Sequence, residues 1–179
     1  MRVAITGTPG TGKTTLAREV ADELGFEVVD MAALAREHAS GYDERRDVVE
    51  ADLHAIREST EDLDDVVFDG HLSHYLDVDH VVVLRCHPAV LNERLRRRGW
   101  PEDKVEENVE AEALDVVFAE AVENHGEVHE IDTTDVDVRE AAAEAVDAAR
   151  DRKTNASLDR HAVDWSDHLF ELDPEVESR

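Results

Sequence analysis

"AITGTPGTGKTTLA", residues Ala4 to Ala17, is the stretch from which the rest of the chain can be read. Its centre, Gly7-Thr8-Pro9-Gly10-Thr11-Gly12-Lys13-Thr14, fits G-x-x-x-x-G-K-[ST] at every fixed position. An apolar run, Arg2 to Thr6, precedes it. Leu16, Ala17, Val20, Ala21 and Leu24 follow at helical spacing, up to a plausible stop at Gly25. Strand, glycine-rich turn and helix in that order form a cradle for nucleotide phosphates. Glycines such as Gly10 and Gly12 let backbone N–H groups turn inward, and the helix N-terminus adds positive potential. On this reading Lys13 reaches the β- and γ-phosphates, the Thr14 hydroxyl binds Mg²⁺ and Thr15 touches the α-phosphate.

Downstream, short apolar runs alternate with helical patterns. Phe26 to Asp30 reads as a buried strand. Residues 31–62 read as helical pieces broken at "SGYDE", with Gly41 as hinge or turn. Val66, Val67 and Phe68 make a third strand ending in Asp69; "HVVVLRC", His80 to Cys86, is a fourth and "EVHEID" a fifth. Pro88 opens a helix through Val90, Leu91 and Leu95 into an arginine cluster and "GWPED". Val105, Val109, Val117 and Ala121 read as one long helix, and Val138 to Ala149 as a last one. Continuous apolar strands between helices predict an α/β fold, a five-stranded parallel sheet sandwiched by helices with right-handed crossovers. After Arg152 the periodicity fades. Residues 1–152 then form one domain, and residues 153–179 an acidic tail, mobile or lightly docked through Trp165, Leu169 and Phe170.

The chain has 179 residues, 41% of them apolar, enough for one domain with a substantial core. Its 45 acidic residues outnumber 19 basic ones, for a formal net charge of -26. Disordered acidic proteins lack a periodic apolar skeleton, and this chain has one. A folded protein with a heavily carboxylated surface, as halophile proteins carry, fits better and predicts a salt-requiring, cytoplasmic protein. The same charge argues against general nucleic-acid affinity, leaving a local basic patch at Arg94, Arg96, Arg97 and Arg98. Cys86 is the one cysteine, which excludes disulfide frameworks and cysteine metal clusters. No membrane-spanning run is present, and "MRVAITG" is too short for a signal peptide.

Two features narrow the phosphate loop's use. "VVFD" ends in Asp69, where a strand-end carboxylate would hold the magnesium ion, and His71 follows within reach of the γ-phosphate. A guanine-reading Asn-Lys-x-Asp segment is missing, and the chain is short for a motor or transporter ATPase. An insertion of about thirty residues between the second and third strands, and an arginine-rich segment before the long helix, suit a kinase of small substrates. Such an enzyme needs flaps to exclude water and arginines to hold two phosphorylated substrates.

From Met1 to about Arg150 the chain resembles the archaeal and eukaryotic adenylate kinases of the isoenzyme-6 type, also called CINAP. The resemblance rests on "TGTPGTGKTT", "LARE" at 34–37, "GYDE" at 41–44, Asp69-Gly70-His71, "VVLR" at 82–85 and "LNERLRRRGWPEDKVEENVEAE" at 91–112. It implies a nucleoside monophosphate (NMP) kinase with an NMP-binding region near 30–53 and a lid near 97–107. It implies ATP binding at Gly10, Gly12, Lys13, Thr14, Thr15 and Arg98, and Asp69 and His71 as the pair for magnesium and water positioning, which also supports an ATPase activity. Arg36 becomes the candidate for the NMP phosphate, and Arg94 a partner of Arg98 on the transferring group. The resemblance also implies a role in small ribosomal subunit maturation, through a ribosomal protein partner and the pre-ribosomal particle. Two sites depart from the family. "LSHYLDV" replaces an aromatic-proline segment after His71, and "DTTDVDV" at 132–138 offers no basic side chain, so adenine is left to backbone and apolar contacts. The expected reaction is ATP + AMP ⇌ 2 ADP. A nucleotide-gated ribosome assembly ATPase, or a kinase of another small metabolite, remains the alternative.

Overall fold

The computed structural model describes residues 1–43 and 48–165. Five parallel strands form one sheet: β1 (Arg2–Gly7), β2 (Glu27–Asp30), β5 (Val66–Asp69), β6 (His80–Arg85) and β7 (His129–Asp132). Their order is β2-β5-β1-β6-β7. The chain leaves β1 toward one edge, returns through β5, then crosses to the other side. The reversal sets the carboxyl ends of β1 and β5 beside each other, the place where open α/β sheets bind ligands.

Both faces of the sheet are covered because its central strands carry consecutive apolar residues that point alternately to the two sides. Val3, Ile5, Val82 and Leu84 pack on one face against α1 (Lys13–Leu24) and the alanine stripe of α7 (Val138–Asp151). Ala4, Val81 and Val83 face the other way, onto Phe118 and Val122 of α6 (Val116–His125). Val66 and Phe68 meet Met31 of α2 (Met31–Glu37) and Ile56 of α3 (Leu53–Thr60). A satellite core joins Leu91 and Leu95 of α4 (Pro88–Arg97) to Val105 and Val109 of α5 (Glu102–Ala113).

The structure corrects four sequence expectations. β2 is an edge strand paired only with β5, and Glu27, Val28 and Asp30 are exposed rather than buried. The segment read as broken helix carries an antiparallel pair, β3 (Ala39–Asp43) and β4 (Val48–Ala51), and Gly41 lies within β3 beside a register shift. The expected long helix is two helices, α5 and α6, because Asp115 adopts a left-handed φ of 57°. A lightly docked tail understates the contact beyond α7. Ala156 bridges Val128 and is fully buried, and Val163 is nearly so. Leu169 and Phe170 lie outside the described residues. Among the described residues no helix is long and apolar enough to cross a membrane.

Candidate active site

The loop between β1 and α1 turns at Gly7, Gly10 and Gly12, all at positive φ. Gly10 admits no side chain: a Cβ there would lie 2.6 Å from Leu91 Cδ1 and 3.0 Å from Leu95 Cδ2. The glycine therefore lets the loop rest directly on α4. Gly12 caps α1 without any side-chain hydrogen bond, so the helix N-terminus is left to the cradle. Gly10, Gly12, Lys13, Thr14, Thr15 and Arg98 line a cavity of about 180 Å³. Lys13 Nζ donates to the Thr8 carbonyl at 3.0 Å. Burial pushes its ammonium down to about 8, against the opposing pull of Asp69 and Glu112 and with added push from Arg98.

Asp69 ends β5 almost wholly buried, and its Oδ1 has no hydrogen-bond partner. An orphaned buried carboxylate oxygen, close enough to act on the Lys13 charge, fits a cation that also meets the Thr14 hydroxyl and a bound phosphate. Gly70 follows at φ 151°, where a Cβ would strike Met31 Cβ at 2.7 Å. The turn delivers His71 to the surface, and its carbonyl accepts from Thr6 Oγ1 at 3.3 Å. Desolvation, then the Lys13 charge, hold the His71 imidazole below the usual histidine range. His74 is different in kind. It is fully buried, its Nδ1 is 2.9 Å from Thr6 Oγ1, and burial pushes it down to about 4, so it is a neutral support beneath the site.

The arginines divide. Arg98 caps the C-terminus of α4 and lies open to the cradle. Arg94, expected beside it on the transferring group, is turned away: its Nη2 donates to the Thr133 and Thr134 carbonyls at 2.7 and 3.0 Å. Together with Arg98 it walls a second cavity, of about 200 Å³, with Leu16, Thr133, Val136 and Val138. That cavity adjoins the cradle through Gly10, Gly12 and Thr15. Arg96 pairs with Glu102, and Arg97 is exposed, as surface groups. Arg36 is exposed in the last turn of α2.

Residues 3–115 match the AAA domain family. A protein of Natronomonas pharaonis named as an adenylate kinase is 47% identical over 94% of this chain and 100% of its own length. One of Methanocaldococcus jannaschii, named likewise, is 37% identical, covering 96% of each chain. The chain belongs to this archaeal adenylate kinase family. Among solved structures, shikimate kinase of Acinetobacter baumannii shares the fold with a TM-score of 0.60 at 17% identity, over 85% of this chain and 94% of that one. Deoxyadenosine kinase of M. mycoides does so at 0.57 and 19%, over 86% and 100%. The chain's sequence relatives support a nucleotide kinase, and its fold is that of P-loop kinases.

Sequence reasoning missed the polar floor of this candidate site. Arg85, read from the sequence as part of the fourth strand and of the "VVLR" marker but given no role, is 1% exposed and donates to Glu112 Oε1 at 2.9 Å and Glu130 Oε1 at 2.6 Å. It also pairs with Asp115. Glu112 Oε2 accepts from Thr8 Oγ1 of the phosphate loop at 2.5 Å. The available signal was a charged residue closing an otherwise apolar strand, which requires a carboxylate from elsewhere.

Proposed function

We propose that this chain catalyses ATP + AMP ⇌ 2 ADP with breadth toward other nucleoside monophosphates, and carries an ATPase activity at the same site. The carrying observation is a cavity lined by Lys13, Thr14 and Arg98, with the orphaned Asp69 carboxylate oxygen close enough to act on the Lys13 charge. Residues 1–152 would be the kinase domain, with the NMP region near 30–53 and the lid near 97–107, and residues 153–179 a C-terminal extension.

In the proposed reaction an oxygen of the AMP phosphate attacks the γ-phosphorus of ATP. A new P–O bond forms as the bond to the β–γ bridging oxygen breaks, and ADP leaves with its electron pair. The acceptor is already an anion, so no strong base is required and positioning with charge neutralisation carries the rate. Lys13 exchanges the Thr8 carbonyl for the β- and γ-phosphates, and Arg98 neutralises charge on the transferring group. Arg36 holds the AMP phosphate. Adenine of ATP enters the second cavity, where apolar Leu16, Val136 and Val138 meet its faces and Arg94 fixes the wall. Thr14 and Asp69 would hold Mg²⁺, which would supply charge neutralisation for the transfer when bound.

The experiment is ADP formation from ATP with AMP, CMP, GMP and UMP in molar KCl with magnesium. AMP should be turned over, and Lys13→Ala should abolish transfer while leaving the circular dichroism spectrum intact. A variant with near-full turnover overturns the assignment. Hydrolysis is supported by His71, which stands exposed beside the Lys13 charge. His71→Ala should lower ATPase more than AMP phosphorylation; the reverse ranking removes water positioning from its role. The family resemblance supports a second duty in late maturation of the small ribosomal subunit, through a ribosomal protein. Pulldown with small-subunit proteins, with and without ATP, tests it.

A further inference from the structure

Glu112 does more than neutralise Arg85. Arg85 already faces two other carboxylates, Asp115 and Glu130, so a third adds negative charge to a buried group that has no deficit. What occupies Glu112 is a set of hydrogen bonds reaching away from Arg85. Its Oε2 accepts the Thr8 hydroxyl, while Oε1 also accepts the Cys86 N–H at 3.1 Å and the Trp165 indole N–H at 3.2 Å. Thr8 is the residue whose carbonyl holds Lys13 Nζ and receives both the N–H and the hydroxyl of Thr11. One carboxylate, on α5, therefore fixes the peptide on which the site's ammonium rests.

The C-terminal segment reaches the same point. Asn155 bonds the Glu130 backbone in both directions, and Glu130 Oε2 accepts the N–H groups of Ala162 and Val163. Trp165, thus delivered, touches Glu112 and packs edge-on against His87 at 5.1 Å. His87 caps α4, the helix that ends at Arg98.

We propose that Glu112 is a positioning residue for the phosphate loop, acting through the Thr8 hydroxyl, and that the C-terminal segment holds it there through Trp165. The inference rests on the reading of the loop as an ATP site. It makes residues 154–165 part of the kinase's working structure rather than a tail. Displacement of the Thr8 peptide moves the resting place of Lys13 and the floor under the phosphates, and small misplacements of this kind cost rate steeply.

The test uses the full chain in molar KCl, with Thr8→Val, Thr8→Ser and Trp165→Phe. Valine keeps the shape and deletes the hydroxyl; phenylalanine keeps a ring against His87 and deletes the indole donor. ATP affinity is read by calorimetry, and kcat and KM with AMP are measured where melting curves show every variant fully folded. Thr8→Val should weaken ATP binding about tenfold and lower kcat about tenfold further, with the KM for AMP unchanged. Thr8→Ser should restore both to within about twofold, and Trp165→Phe should show a smaller loss of the same pattern. Wild-type ATP affinity and kcat in folded Thr8→Val, or failure of serine to rescue, overturns the inference. A wild type that binds ATP but phosphorylates no monophosphate overturns the kinase reading, and the affinity arm then decides the inference alone.

Discussion

If ATP binds at the proposed site, Lys13 carries a titration that the nucleotide must reverse. Its ammonium, pushed down to about 8 by burial, loses its proton in the free protein at a pH where an exposed lysine keeps it. A bound triphosphate restores the charged form. Above pH 8, binding should take up close to one proton per ATP, and affinity should fall by up to about tenfold per pH unit. Calorimetry in two buffers of different ionisation enthalpy reads the uptake directly. Lys13→Arg should remove it, since a guanidinium stays charged; persistence of the uptake in that variant would assign it elsewhere. The sign for folding is separate. Between about 8 and the unfolded value of 10.5 the unfolded chain binds the proton and the folded chain does not, so unliganded stability rises with pH across that window. The nearness of Lys13 and Asp69 was legible in the sequence because a glycine turn after one apolar strand and a carboxylate ending another set both at the carboxyl edge of the sheet. Arg94 and Arg98 were not separable, because they stand one helical turn apart and only the Thr133 and Thr134 carbonyls decide which guanidinium is drawn away.

At the scale of elements, the phosphate loop is held by what it leans on. Gly10 and Gly12 have nearly the same φ, 102° and 105°, but a Cβ on Gly10 collides with Leu91 and Leu95 and one on Gly12 meets nothing within 4 Å. Gly12→Ala should therefore cost only backbone strain, about 1–3 kcal/mol. Gly10→Ala should cost that strain plus overpacking of a similar size, and should push α4, with Arg98, away from the loop. Denaturant unfolding ranks the two, and Leu91→Val added to Gly10→Ala should recover part of the second cost by removing the colliding Cδ1. Equal losses in the two single variants would show that the loop does not bear on α4. β1, β5 and β6 were legible here because a strand buried on both faces must be an unbroken apolar run. β3 and β4 were not, since a pair outside the main sheet leaves no such run and short stretches read equally as helix. The break between α5 and α6 carries no glycine or proline; Asp115 is drawn into its left-handed turn at a place where its carboxylate meets Arg85 and its sequence neighbours gave no sign.

For the whole molecule, the charge of -26 and the buried histidines pull stability in opposite directions as pH falls, and salt decides which is seen. Protonating surface carboxylates relieves self-repulsion, which should stabilise the fold at low ionic strength. His80 opposes this. It is 5% exposed, its Nε2 has no partner, and burial, then His129 and Arg152, push it down to about 4. From pH 6.5 down to about 4 the unfolded chain takes up a proton at His80 that the folded chain refuses, so stability falls with pH, by at most about 1.4 kcal/mol per unit. In 1 M KCl the screening length is about 3 Å, which mutes the carboxylate repulsion and leaves the buried imidazole exposed to measurement. Melting temperature should then drop from pH 6.5 to 4.5 in molar KCl, and His80→Gln should make that slope shallower, the buried His74 supplying the remainder. At low salt the fold should be weaker throughout, and acidification should first strengthen it. A melting temperature indifferent to KCl between 0.1 and 2 M would remove the surface charge from any part in holding this fold.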